Sequence, residues 1–243
     1  MTRRIRTWFL VCLAGCGVAR AEESRILTGS IGVTSDFVYR GLSLTRGKPT
    51  GQASLDLEFA NRFYVGGFVA GADPNPGPSP GLEVDAWLGR YWRFASDYSF
   101  DVRLSQYTYP DDPRRVNYNR SEITGTLGFD NRLFVAAIYS PNTRALGSSP
   151  GYGDGDVWAL ELSARQPLGE RFSLSAGVGH YSLENVYHHS YNYFNVTLTG
   201  TFEPFELQLA WLGQEGMTPG VFTSDSSGNR VAATALWRFS SAR

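Results

Sequence analysis

Apolar and polar residues alternate along nearly the whole chain, and that rhythm restricts it to extended strands with one oily and one wet face. Ala53, Leu55, Leu57 and Phe59 form an apolar stripe against Gln52, Ser54, Asp56 and Glu58. Tyr98, Phe100, Val102 and Leu104 repeat it against Ser99, Asp101, Arg103 and Ser105, as do Trp158, Leu160, Leu162 and Ala164 against Glu161, Ser163 and Arg165. Phe205, Leu207, Leu209 and Trp211 alternate with Glu206 and Gln208. No stretch of comparable length has helical spacing.

The pattern places strands at 25–40, 50–60, 62–72, 82–94, 97–109, 118–129, 132–140, 156–166, 171–181, 190–202, 205–213 and 229–239. Tight turns join alternate pairs, at Ala60-Asn61, Ala95-Ser96, Asp130-Asn131, Pro167-Leu168-Gly169-Glu170 and Glu203-Pro204. The connections between them are longer and rich in Gly, Pro, Ser and Asp, as in 73–81 and 141–155. Strict alternation of short and long connections is what an antiparallel up-and-down transmembrane β-barrel requires, here of about twelve strands, with short periplasmic turns and long outer loops.

Three features favour a membrane barrel over a soluble sandwich, which also hides one apolar face. Most strands reach the roughly nine to eleven residues that a tilted membrane strand needs, where soluble strands average about five or six. Aromatic residues gather beside the tight turns, at Phe59, Phe63, Phe94, Tyr98, Phe129, Phe172, Phe202, Phe205, Trp237 and Phe239, as a girdle at headgroup level would. The last strand, Val231 to Phe239, resembles the C-terminal recognition strand of bacterial outer-membrane proteins, although Ser240-Ser241-Ala242-Arg243 follows the aromatic residue.

The chain opens like an export signal. Arg3, Arg4 and Arg6 precede an apolar stretch from Trp8 to Gly15, and Ala19-Arg20-Ala21 has the form of a cleavage site. A single barrel domain over 22–243, delivered to the bacterial outer membrane, is the expectation. Leu13-Ala14-Gly15-Cys16 also reads as a lipobox, so lipidation at Cys16 is a second possible processing. Both cysteines lie in this leader, which leaves no disulfide or cysteine metal site beyond it. The formal net charge of -1 argues against a nucleic-acid partner, and past the leader no apolar run is long enough for a membrane helix.

The run Gly29 to Ser43, containing Ser35-Asp36-Phe37-Val38-Tyr39-Arg40-Gly41-Leu42-Ser43, is followed by Gly47-Lys48-Pro49, Gln52 to Asp56, and Phe63-Tyr64-Val65-Gly66. This resembles the opening of the TorF-type porins, with Leu44 where Gln is common and Ala53 where Gly is common. The match covers about the first fifty residues after the leader. It implies an outer-membrane channel and brings no catalytic residues with it.

Placing the apolar stripe against lipid puts Asp36, Arg40, Asp56, Glu58, Glu83, Asp85, Arg93, Asp101, Arg103, Glu122, Glu161, Arg165, Glu206, Arg230 and Arg238 inside as candidate pore-lining residues. In the first strand Leu27, Ile31, Val33, Phe37 and Tyr39 share the lipid face, and Asp36 and Arg40 form an inward pair that braces the wall or lines the pore. The mixed lining predicts weak ion selectivity. The expected function is passive diffusion of small hydrophilic solutes, with loops 141–155 and 213–229 limiting access. Outer-membrane lipid is the other expected partner. A structural barrel with a closed lumen is the alternative without transport.

No enzyme is expected. Gly147-Ser148-Ser149-Pro150-Gly151 has nucleophile-elbow spacing but lies in a loop, not a strand-to-helix turn. His180 and Ser182 share a strand face, as in an outer-membrane lipid hydrolase, yet that face continues Phe172, Leu174, Ala176 and Val178 on the lipid side. His188, His189, Asp154 and Asp156 lack the further ligands that zinc or calcium needs, so no metal or cofactor is expected.

Overall fold

The computed structural model describes residues 25–72, 81–94, 97–110, 119–145, 153–216 and 226–241. The leader with its lipobox, the turn residues Ala95 and Ser96, the elbow-like motif, and the tips of the 141–155 and 213–229 loops lie outside the described residues.

Twelve strands close into an antiparallel barrel: β1 (Ile26–Thr34), β4 (Thr50–Glu58), β5 (Phe63–Gly71), β6 (Leu82–Arg93), β7 (Tyr98–Thr108), β8 (Arg120–Phe129), β9 (Leu133–Thr143), β10 (Gly155–Pro167), β11 (Phe172–Ser182), β12 (Ser190–Phe202), β13 (Phe205–Glu215) and β14 (Arg230–Ser240). Two short strands, β2 (Val38–Tyr39) and β3 (Leu42–Ser43), form a separate hairpin, and one turn of helix, α1 (Glu184–Tyr187), sits between β11 and β12. Every wall strand pairs with its sequence neighbour, and β14 pairs with β1 from Thr28↔Ser240 to Thr34↔Thr234. Closure satisfies the backbone groups that an open edge would expose. The short connections and the long ones fall at opposite ends, as the alternation in the sequence requires.

The usual inside–outside relation of a globular protein is reversed. Leu160, Leu209 and Val178 on the outer face are 50%, 54% and 57% exposed, whereas Glu83 and Glu122 on the inner face are 1% and 2% exposed. A continuous belt of half-exposed aliphatic side chains around an interior of buried carboxyl and guanidinium groups is stable only where the surroundings are apolar. Phe63, Phe94, Tyr98, Phe129, Phe172, Phe202, Phe205 and Trp237 stand exposed at the short-turn end as the expected girdle. Tyr139, Trp158 and Trp211 are exposed toward the other end.

The first strand departs from the sequence expectation. It stops at Thr34 rather than reaching 40, and the chain then turns into the barrel as the β2–β3 hairpin, with Val38 paired to Ser43 and Tyr39 to Leu42. Phe37 and Tyr39 therefore do not meet lipid. Arg40 and Gly41 at the tip have φ of 47° and 79°, the positive pair that a two-residue type I′ turn needs.

Candidate functional site: a lumen crossed by a hairpin

The hairpin is held in place by charge. At its root Asp36 accepts hydrogen bonds from Ser43 Oγ (2.5 Å), Thr45 Oγ1 (2.8 Å) and the Gly47 amide (3.3 Å), and pairs with Arg230 of β14 at 2.8 Å. At its tip Arg40 donates to both carboxylate oxygens of Glu122 on β8, at 3.0 and 3.1 Å. The same guanidinium lies 3.6 Å from Glu161 on β10 and 4.7 Å from the Tyr181 ring on β11. Asp36 and Arg40 thus do not pair with each other, as the sequence suggested, but with opposite walls.

Aromatic contacts complete the anchorage. Phe37 meets Phe68 of β5 at 5.5 Å between ring centroids, and Tyr39 meets Tyr107 of β7 at 6.0 Å. Tyr39 also donates to Glu122 (2.8 Å), and Tyr191 of β12 donates to the Arg40 carbonyl (3.1 Å). A left-handed conformation at a non-glycine residue such as Arg40 costs about 1–2 kcal/mol. A bidentate, charge-assisted bond of the kind it makes to Glu122 is strong enough to hold it there.

Glu122 is the hub. Arg120, two residues earlier on the same face, approaches it at 3.3 Å and stacks over the rings of Tyr107 (4.1 Å) and Tyr39 (4.8 Å). It also donates to the Tyr109 hydroxyl (3.2 Å), which in turn donates to Glu83. Asp85 is buried beside Glu83 along the β6 inner face. On the far wall Tyr193 donates to Glu161 at 2.5 Å, its ring lying flat across Gly179, where any Cβ would come within 2.3 Å of it. Only glycine lets the ring approach the sheet so closely.

The remaining pore-lining candidates occupy the half nearer the short turns. Asp56 accepts from Trp87 Nε1 at 2.9 Å, Asp101 accepts from the Tyr64 hydroxyl at 2.8 Å, and Arg103 lies 5.9 Å from the Trp87 ring. Glu206 pairs with Arg238. Glu58, Arg93 and Arg165 are exposed at the strand ends near the short turns. Between hairpin and mid-barrel lies a cavity of about 470 Å³, bordered by the hairpin and by inward residues of β1, β4 and β7 through β14.

Arg120, the tyrosines 107, 181, 191 and 193, and the neutral amides and hydroxyls of the cavity are absent from the residues expected to line the pore, and Tyr39 was expected against lipid. Strand parity would have placed Arg120 and the four wall tyrosines Tyr107, Tyr181, Tyr191 and Tyr193. The hairpin itself was signalled by Arg40-Gly41 and Arg46-Gly47, since X-Gly pairs punctuate turns.

His180 and Ser182 do not form a dyad. The His180 Nδ1 is 2.8 Å from Asn192 Oδ1, its ring faces Trp158, and Ser182 is buried beside Ser190. Asp154 pairs with Arg144 at 3.5 Å, and Asp156 accepts from Asn185. Among the described residues no group of three or more His, Cys, Asp or Glu is placed to hold a metal ion.

The family described as "Bacterial protein of unknown function (Gcw_chp)" matches residues 18–242. Among solved structures, the KdgM porin in complex with disordered oligogalacturonate is similar, with a TM-score of 0.55 and 12% identity, covering 88% of this chain and 99% of that one. The NanC porin is similar at a TM-score of 0.54 and 8% identity, over 88% and 98% of the respective chains. At such identities the likeness is one of fold. No curated protein matches.

Proposed function

We propose that this chain, which belongs to the Gcw_chp family of bacterial proteins of unknown function, is an outer-membrane channel through which small hydrophilic solutes diffuse passively. The observation that carries the reading is the inverted barrel: an exposed aliphatic belt of membrane-strand length around a lumen lined with ionised and hydrogen-bonding side chains. The porin fold of KdgM and NanC and the TorF-like opening segment support it.

In this reading residues 1–21 are an export leader, the rest is one barrel, the short turns face the periplasm, and the long loops face outward. Asp56, Asp101, Arg103, Glu206 and Arg238 line the aqueous path, and lipid contacts the outer face. The chain carries out no catalysis. Access is set chiefly by the β2–β3 hairpin.

Conductance of the purified, folded protein in planar bilayers tests the proposal, heat-modifiable gel mobility serving as the check on folding. Ohmic current at neutral pH is the expected result. Its absence from folded protein would favour a structural barrel with a closed lumen, a reading that the many-sided anchorage of the hairpin makes specific.

A further inference from the structure

The chamber beneath the hairpin has a lining unlike the rest of the lumen. Gln52, Thr124, Ser163 and Asn195, on four different strands, are half-buried around it, and their side chains make no hydrogen bond among the described residues. Gln208 joins them from β13, with one amide proton donated to Glu206. The charged groups in the roof are committed to one another: Asp36 to Arg230, and Arg40 to Glu122 and Glu161. Arg103, the remaining charged residue of the lining, makes no ion pair among the described residues; it lies 5.9 Å from the Trp87 ring and two positions from Asp101 on the same face.

Amides and hydroxyls each donate and accept hydrogen bonds, which is the property of a sugar hydroxyl and of neither a carboxylate nor an ammonium group. An ion entering the chamber would lose hydration and find the charged groups of the roof already paired, with Arg103 alone left to offset that loss for an anion. A neutral polyol would exchange water for direct bonds of both polarities. The volume of about 470 Å³ falls within the roughly 300–1,000 Å³ of small-molecule sites.

We infer that this chamber is a weak binding site for uncharged polyhydroxylated solutes of monosaccharide size, which makes them the preferred cargo. The inference rests on the channel reading.

Reconstituted wild-type protein would be held at constant salt current while glucose, sorbitol, glucosamine or gluconate is added. Saturable, reversible reduction of the current by glucose and sorbitol at lower concentrations than by the two charged analogues is expected. Asn195→Leu on β12 and, separately, Gln52→Leu on β4 should each raise the half-blocking glucose concentration about tenfold, as loss of a hydrogen bond would. The readout is the blocked fraction of each variant's own current. Should one variant fail to fold, the other reads the same loss, and the comparison of neutral with charged solutes in the wild type stands without either. Equal block by all four solutes, or block unchanged in a folded variant, overturns the inference. Absence of any salt current from folded wild type overturns instead the channel reading beneath it.

Discussion

Arg40 and Glu122 meet across the barrel interior, two guanidinium nitrogens on two carboxylate oxygens at 3.0 and 3.1 Å, although 82 positions separate them in the chain. The pair fastens an inward-folded segment to the wall opposite its root, and Glu122 serves Arg120 at the same time. Its removal should therefore be felt both in stability and in current.

Glu122→Gln takes the shared carboxylate from two buried guanidinium groups and leaves Arg40 only the longer contact to Glu161, a loss of about 3–5 kcal/mol by comparison with other broken buried pairs. The loss should be read as a lower urea midpoint for the folded gel band. Because Arg40→Ala removes one of the two stranded charges, the double variant should lose less than the sum of the single ones. Strict additivity would mean that the two groups are not coupled.

Arg40→Ala alone shortens the hairpin tip within the lumen. Single-channel current should rise relative to the wild type, while a substitution in the outer loops at Arg144→Ala should leave it near its original value. An unchanged current in folded Arg40→Ala protein would show that the constriction lies elsewhere.

Leu209 and Gln208 are neighbours on opposite faces of β13. Leu209→Arg should destabilise the vesicle-embedded barrel by about 2–4 kcal/mol, the penalty for arginine facing mid-bilayer lipid, and Gln208→Arg by much less. Equal midpoints in urea titration would contradict the assigned faces.

Spin labels at Ile123 and Thr124 should likewise report opposite surroundings, the first accessible to oxygen dissolved in acyl chains and the second to a water-soluble nickel complex. Matching accessibility would be incompatible with a membrane-facing aliphatic belt.

Most of the wall was legible in the amino-acid order because a barrel strand has only two faces and a one-residue slip would reverse them all. The pattern at 97–109, 190–202 and 205–213 therefore falls within two residues of β7, β12 and β13. It misled at 35–40, where Phe37 and Tyr39 alternate with Asp36 and Arg40 as in a wall strand. A hairpin packed inside a polar lumen also needs one side for rings and one for charges, so periodicity cannot separate the two. What could separate them is backbone chemistry: Arg40 and Gly41 share positive φ, which no uninterrupted strand tolerates. The partners of Arg40 were hidden for a different reason, since Glu122, Glu161 and Tyr191 come from distant strands whose relative height depends on the stagger of the closed sheet.

The seam between β1 and β14 ties Leu27 to Ser241 across 214 positions. Until that join forms, the unfinished sheet carries two raw margins able to recruit strands from other molecules. The last strand thus acts as a zipper slider: closure cannot be completed piecemeal, and a chain lacking β14 should aggregate rather than persist as a smaller cylinder.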